Sequence, residues 1–195
     1  QPYFKIKGLL AQHHVNVFSS NYELYGDIST RIMATLSTFT PELEIYSIDE
    51  AFLEVTGVAG LASFGMAVKK ACWQQHRMPV CVGIAPTKTL AKLANHIAKK
   101  SNRLDGVCVI KKIEPWQAVF SKRKVAEVWG VGSRTAKRLA LQGIHSVAQL
   151  QAQPPRLMRK TFGVTLERTV RALNGELCIA MEQQPPPKKE IFCSR

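Results

Sequence analysis

Carboxylates are scarce in this chain. Across 195 residues 14 Asp and Glu stand against 27 Lys and Arg, a formal net charge of +13. Cysteine is sparse as well: Cys72, Cys81, Cys108, Cys178 and Cys193 show no CxxC spacing, and their odd number fits reduced, partly buried thiols better than disulfides or zinc. A cytoplasmic setting is therefore expected. The histidines have no metal-ligand spacing, since His13 and His14 are adjacent and His76, His96 and His145 are isolated. No apolar run approaches about 20 residues, which argues against a membrane span and for a soluble chain. Gln1-Pro2-Tyr3 carries no initiator Met and no signal-peptide pattern.

What is present is a globular composition with an uneven charge. With 46% hydrophobic residues the chain can build a core of one or two domains. Residues 1–98 hold 8 Lys and Arg against 7 Asp and Glu, whereas residues 99–195 hold 19 against 7. The basic second half predicts a polyanionic partner, because each phosphate contact releases counterions and makes binding salt-dependent. Nucleic acid is the simplest candidate. An anionic membrane surface is the alternative, but the basic segments lack the aromatic, strongly amphipathic helix it would want.

Two of the few carboxylates are adjacent. Asp49 and Glu50 stand between the apolar, strand-forming runs Glu44-Ile45-Tyr46-Ser47-Ile48 and Ala51-Phe52-Leu53-Glu54-Val55. On one straight strand neighbouring acids point apart, but at a hairpin turn both project from the same end. Two hard oxygen donors side by side suit Mg²⁺, which keeps waters and takes the rest of its shell from substrate phosphates. A solvated turn is the bland alternative.

The rest of the first half reads as alternating strands and helices. Val15-Asn16-Val17-Phe18 predicts a strand, and Ser20 with Glu23 a capping box for a helix carrying Leu24, Ile28, Ile32 and Leu36. After the acidic strand pair, about 42–47 and 51–55, come a helix near 61–76, a strand at Val80–Ile84, a helix near 88–100 and a short strand at Val107–Ile110. In the helix after Thr87, Lys88, Lys92, Asn95 and Lys99 share one face, opposite Leu90, Leu93, Ala94 and Ile97. Like charges four apart slightly destabilise a helix, so the stripe implies either an anion beside it or a solvated face.

Past Ile113 the pattern turns helical. Val128-Trp129-Gly130-Val131-Gly132-Ser133-Arg134 opens an h-x-G-h-G helix-hairpin-helix motif, a module that holds DNA backbone without reading sequence. Glycines permit a tight hairpin with outward amides, the next helix offers its positive end to a phosphate, and Arg134, Lys137 and Arg138 add charge. A structural Gly-x-Gly turn between packed helices is the alternative. Residues 154–175 read as two short helices with Leu157, Phe162, Val164, Leu166, Val170 and Leu173 as core. Gln183-Gln184-Pro185-Pro186-Pro187-Lys188-Lys189 reads as a semi-rigid linker.

Ser47-Ile48-Asp49-Glu50-Ala51-Phe52 resembles the S-I-D-E-A-[FY] motif of the Y-family translesion DNA polymerases. Phe18–Tyr25 and Gly83–His96 are similar to the UmuC branch of that family, and the similarity runs over nearly the whole chain. The resemblance implies an α/β palm, a mixed sheet with helices on one face, followed by a small all-α helix-hairpin-helix thumb. By it, residues 1–14 are the end of a fingers domain, 15–113 the palm, 114–182 the thumb and 183–195 a linker to a little finger. It implies nucleotidyl transfer with two Mg²⁺ ions, Asp49 and Glu50 as catalytic metal ligands, and Lys99 on the triphosphate of the incoming dNTP. Gly130, Gly132, Ser133, Arg134, Lys137 and Arg138 would hold the primer–template, with the UmuD′ dimer and RecA as partners in SOS repair. The family's earlier motif, an Asp closing the first palm strand followed by an aromatic that excludes ribonucleotides, is not found in this chain. A fragment with little or no polymerase activity of its own is therefore expected. A remnant that only binds DNA and a two-carboxylate nuclease are the rival readings.

Overall fold

The computed structural model describes residues 2–182. The linker expected over 183–195, and Cys193 within it, lie outside the described residues. Helix α1, Tyr3–Gln12, buries none of its side chains. The strand expected at Val15–Phe18 is not formed: Val15, Val17 and Phe18 are exposed, and among the described residues no strand pairs with them. Unpaired backbone amides and carbonyls give a lone segment no reason to stay extended as a strand. Helix α2, Tyr22–Ser37, starts one residue later than a Ser20 cap requires, so Asn21 takes that role and accepts the Leu24 amide at 3.0 Å.

Strands β1, Leu43–Ser47, and β2, Glu50–Leu53, form an antiparallel hairpin with Glu44 opposite Phe52 and a register shift between Ile45 and Ser47. Helix α3, Leu61–His76, leads to β3, Val82–Ile84, then to α4, Lys88–Lys100, and β4, Val107–Val109. Strand β3 pairs with β4 in parallel, Val82 beside Val107, and α4 is the crossover between them. The mixed sheet expected from the sequence thus resolves into two separate pairs, β1–β2 and β3–β4, among the described residues.

The helices also lie on both faces of β3–β4 rather than on one. Successive strand residues point to opposite sides. A Cβ on Gly65 of α3 would meet the side chains of Val107 and Ile84, whereas one on Gly83 would run into the Ala91 carbonyl and the Asn95 amide of α4. Gly83 is what lets α4 settle directly on the strand backbone. Helix α2 closes the α3 side, where Phe39 meets Phe64 edge to face at 5.8 Å and the Thr35 hydroxyl donates to Gln75 Oε1 at 2.7 Å.

After a 3₁₀ turn the chain forms α5, Gln117–Lys122, α6, Ser133–Ala140, α7, Val147–Gln151, α8, Pro155–Phe162, and α9, Val164–Leu173. Their apolar faces join those of α4 and β4 in one core: Leu90, Leu93, Ile97, Cys108 and Ile110 pack with Phe120, Leu139, Leu150, Met158 and Leu173. Each such side chain contributes about 1.5–3 kcal/mol by leaving water. The core crosses the boundary expected at residue 113, and the Thr87 hydroxyl ties the two sides by donating to the Ala172 carbonyl at 2.9 Å. Of the core expected in α8 and α9, Leu166, Val170 and Leu173 are buried, but Leu157 and Val164 are exposed and Met158 takes the inner position.

Candidate active site and nucleic-acid interface

The period of two along β1 and β2 puts Glu44, Glu50 and Phe52 on the hairpin face turned to α4, and Tyr46 joins them. Lys88 and Lys92, one turn apart on α4, meet the two acids. Lys88 Nζ pairs with Glu44 Oε2 in a buried contact, and Lys92 Nζ lies 3.0 Å from Glu50 Oε2 where water still reaches both. The cationic stripe of α4 therefore faces protein carboxylates along its first half. Lys88 is a buried support, not an open phosphate contact. Only beyond it does the stripe face solvent: Lys99 is exposed, and among the described residues no carboxylate pairs with it.

Asp49 occupies the turn and is exposed, with Ser47 Oγ donating to its Oδ1 at 2.6 Å. Glu50 opens β2 directly beside it. Glu54, at the far end of β2, is committed elsewhere: the Thr56 hydroxyl donates to it at 2.5 Å and the Thr56 amide at 2.9 Å, and these bonds hold its carboxyl below the usual range. Among the described residues no group of three or more His, Cys, Asp or Glu gathers as a metal cluster. Asp49 and Glu50 are adjacent in the chain, each keeps one carboxylate oxygen without a bond among the described residues, and hard oxygen donors of this kind fit Mg²⁺.

An aromatic group closes one side of this site. Tyr46 and Trp129 meet edge to face at 5.5 Å, Phe52 lies 5.9 Å from Trp129, and Trp129 Nε1 donates to the Tyr46 hydroxyl at 3.2 Å. Trp129 comes from the loop before α6, so the h-x-G-h-G segment is anchored to the acidic hairpin. The role of Trp129 was not read from the sequence, nor was that of Glu44. The signal for Glu44 was present: an acid at strand spacing from Tyr46, matched by lysines four apart on α4.

The segment expected to form a helix-hairpin-helix has α6 as its second arm but no α-helix directly before the glycines, and the Val131 amide turns back to the Val128 carbonyl at 3.0 Å. A 3₁₀ turn, Val125–Glu127, precedes the segment in place of an α-helix. Gly130 adopts φ +86°, a left-handed conformation that favours glycine, and Val131 drops into the core. Gly132 caps α6 without a side-chain bond, and Gly132, Ser133, Arg134 and Lys137 are exposed beside it. Arg138 is drawn to α8 instead: its Nη2 donates to the Thr161 carbonyl at 2.8 Å and its guanidinium lies 4.6 Å from the centre of the Phe162 ring.

Among the thiols, burial pushes Cys72 up and Cys108 up to about 11, as expected of inert structural cysteines. His96 lies 3.1 Å from Glu127, yet burial and the Lys100 charge outweigh that carboxylate and hold the imidazole below its ordinary value. No described helix is long and apolar enough to cross a membrane.

Residues 1–96 match the impB/mucB/samB family. Over its whole length the chain is 47% identical to UmuC of Salmonella typhimurium and 45% identical to MucB of Escherichia coli, and it spans about half the length of these curated relatives, 47% in each case. Among solved structures it is similar to a Dbh ternary complex, with a TM-score of 0.73 and 26% identity over 94% of this chain and 54% of that one. A DinB-family error-prone DNA polymerase from Sulfolobus solfataricus gives a TM-score of 0.71 and 25% identity, over 94% and 55%. In sequence the chain is thus similar to UmuC and MucB throughout its length, with the impB/mucB/samB match in its first half, and in fold it is similar to the DinB-family DNA polymerases.

Proposed function

We propose that this chain supplies the palm and thumb of an error-prone, template-directed DNA polymerase acting in translesion synthesis and SOS repair. In this reading residues 1–14 end the fingers, 15–113 form the palm and 114–182 the thumb. The observation that carries it is the hairpin tip, where Asp49 is exposed in the turn and the adjacent Glu50, held to α4 through Lys92, is still open to water. Asp49 and Glu50 hold divalent metal there. Two Mg²⁺ ions, when bound, supply activation of the primer 3′-hydroxyl and charge neutralisation on the triphosphate.

The chain's own groups do the rest. Lys99, unpaired among the described residues at the C-terminal end of α4, neutralises phosphate charge on the incoming dNTP. The amides at Gly132 and Ser133, with Arg134 and Lys137, grip the DNA backbone without reading sequence. Glu44 and Lys88 keep the hairpin seated on α4, so the carboxylates are aimed by a rigid helix. The UmuC likeness carries the UmuD′ dimer and RecA as partners and a cytoplasmic setting.

The test is primer extension by the intact polymerase. Asp49→Ala or Glu50→Ala should abolish extension while DNA affinity stays within about twofold of wild type. Robust extension by either variant would sink the metal assignment. Residues 1–195 alone should bind duplex yet extend a primer little or not at all, and templated extension by them would refute that part of the reading.

A further inference from the structure

Lys92 has more partners than a structural lysine needs. Its Nζ lies 3.0 Å from Glu50 Oε2, 4.4 Å from the centre of the Tyr46 ring and 5.0 Å from that of Trp129. The carboxylate alone, or the rings alone, would satisfy one ammonium. A ring face attracts a cation without a directional bond, so the ammonium can leave the carboxylate and still be held. The contrast with Lys88 is informative. Lys88 also stands near a ring, Phe52 at 5.1 Å, but it is bonded to Glu44 and to the Ala180 carbonyl and its side chain is only 7% exposed. Glu50 is 38% exposed, so another cation can reach it.

We propose that Lys92 is the resident cation of Glu50: it occupies the carboxylate while the acidic hairpin is empty, yields it to a divalent ion, and is retained by Tyr46 and Trp129 once displaced. The inference rests on the metal-binding reading of Glu50. Asp49 has no counter-cation among the described residues, so ligation begins there and is completed by exchange at Glu50. The exchange lets the site stay electrostatically balanced in both states, because the hairpin is never left with two bare adjacent carboxylates. Trp129 immediately precedes Gly130, so the ring that retains Lys92 also fixes the start of the loop proposed to hold DNA. Lys92 is thus a positioning residue that acts through Glu50.

The experiment measures Mn²⁺ binding to the full chain from the electron paramagnetic resonance signal of the free ion, alongside tryptophan emission. Removing a unit positive charge from contact with the ligand carboxylate should tighten binding about tenfold in Lys92→Met. Lys92→Arg should bind as wild type does. Lys92→Gln gives the same readout as the Met variant should that one not fold. Mn²⁺ should change the emission of wild type, and the change should vanish in Trp129→Phe and in Lys92→Met. If Glu50→Gln weakens binding but Lys92→Met and Lys92→Gln bind no more tightly than wild type, the exchange is overturned and the metal reading survives. If Glu50→Gln leaves binding unaltered, or wild type binds no Mn²⁺, both fall.

Discussion

Glu44 on β1 and Lys88 at the start of α4 form an ion pair whose side chains are 9% and 7% exposed. The same two groups hold the last described residues: Lys88 Nζ donates to the Ala180 carbonyl at 2.7 Å, and Glu44 Oε2 accepts the Glu182 amide at 2.6 Å. One pair thus joins the hairpin, the helix and the strap that follows α9.

Removing one partner leaves the other charge buried without compensation. Lys88→Met or Glu44→Leu should each cost about 3–5 kcal/mol, and the double variant should recover most of the loss. Urea unfolding of the four proteins closes the cycle. Additive losses in the double variant would show that the two groups act independently.

The glycines rank by what a methyl group would strike. Gly83→Ala drives a Cβ into the backbone of α4 and should cost about 3 kcal/mol or more, whereas Gly65→Ala strikes the Val107 side chain, which can give way only by a turn about χ1 or a small shift of α3, and should cost about 1–3 kcal/mol. Gly132→Ala faces open space and should change stability little. Thermal melts that placed Gly132→Ala below Gly83→Ala would contradict the packing of α4 on β3.

His96 sets a pH dependence of definite sign. Burial first, then Lys100, lowers its folded-state value, so the unfolded chain binds the proton more readily. The contribution of His96 is fully present above about pH 6.5, its unfolded value, and is lost as pH falls through the folded value. Urea midpoints should therefore drop from pH 7.5 to 5.5, and His96→Asn should flatten that slope. A wild-type midpoint that rose on acidification would mean that Glu127 dominates instead.

The basic residues around α6 divide by task. Arg134→Ala and Lys137→Ala should weaken binding to labelled duplex uniformly across sequences and each lower the salt slope by about one, read by fluorescence anisotropy. Arg138→Ala should instead lower stability by about 1 kcal/mol, since it loses the bond to Thr161 and the face of Phe162. A full unit of salt slope lost with Arg138 would place it on DNA after all.

The elements with strong local signals were legible in the sequence. Helix α4 was, because Leu90, Leu93, Ala94 and Ile97 recur at helical spacing, and so was the turn at Asp49, because strand-forming runs flank it, although Glu50, expected in that turn, pairs with Ser47 as the first residue of β2. The strand at Val15–Phe18 misled, because β-branched composition creates a strand only where a neighbour offers hydrogen bonds. Tertiary structure alone decided which lysines are free. On a helical wheel Lys88, Lys92 and Lys99 look equivalent, and what separates them is the reach of β1–β2, which spends the first two on Glu44 and Glu50 and stops short of the third. It decided likewise that Arg138 turns to α8 while Arg134 and Lys137 do not, and that Trp129 stands over Lys92. A residue's own spacing determines its face, but its partner comes from elements far along the chain, and only the packed core at Gly83 and Leu90 sets their distance.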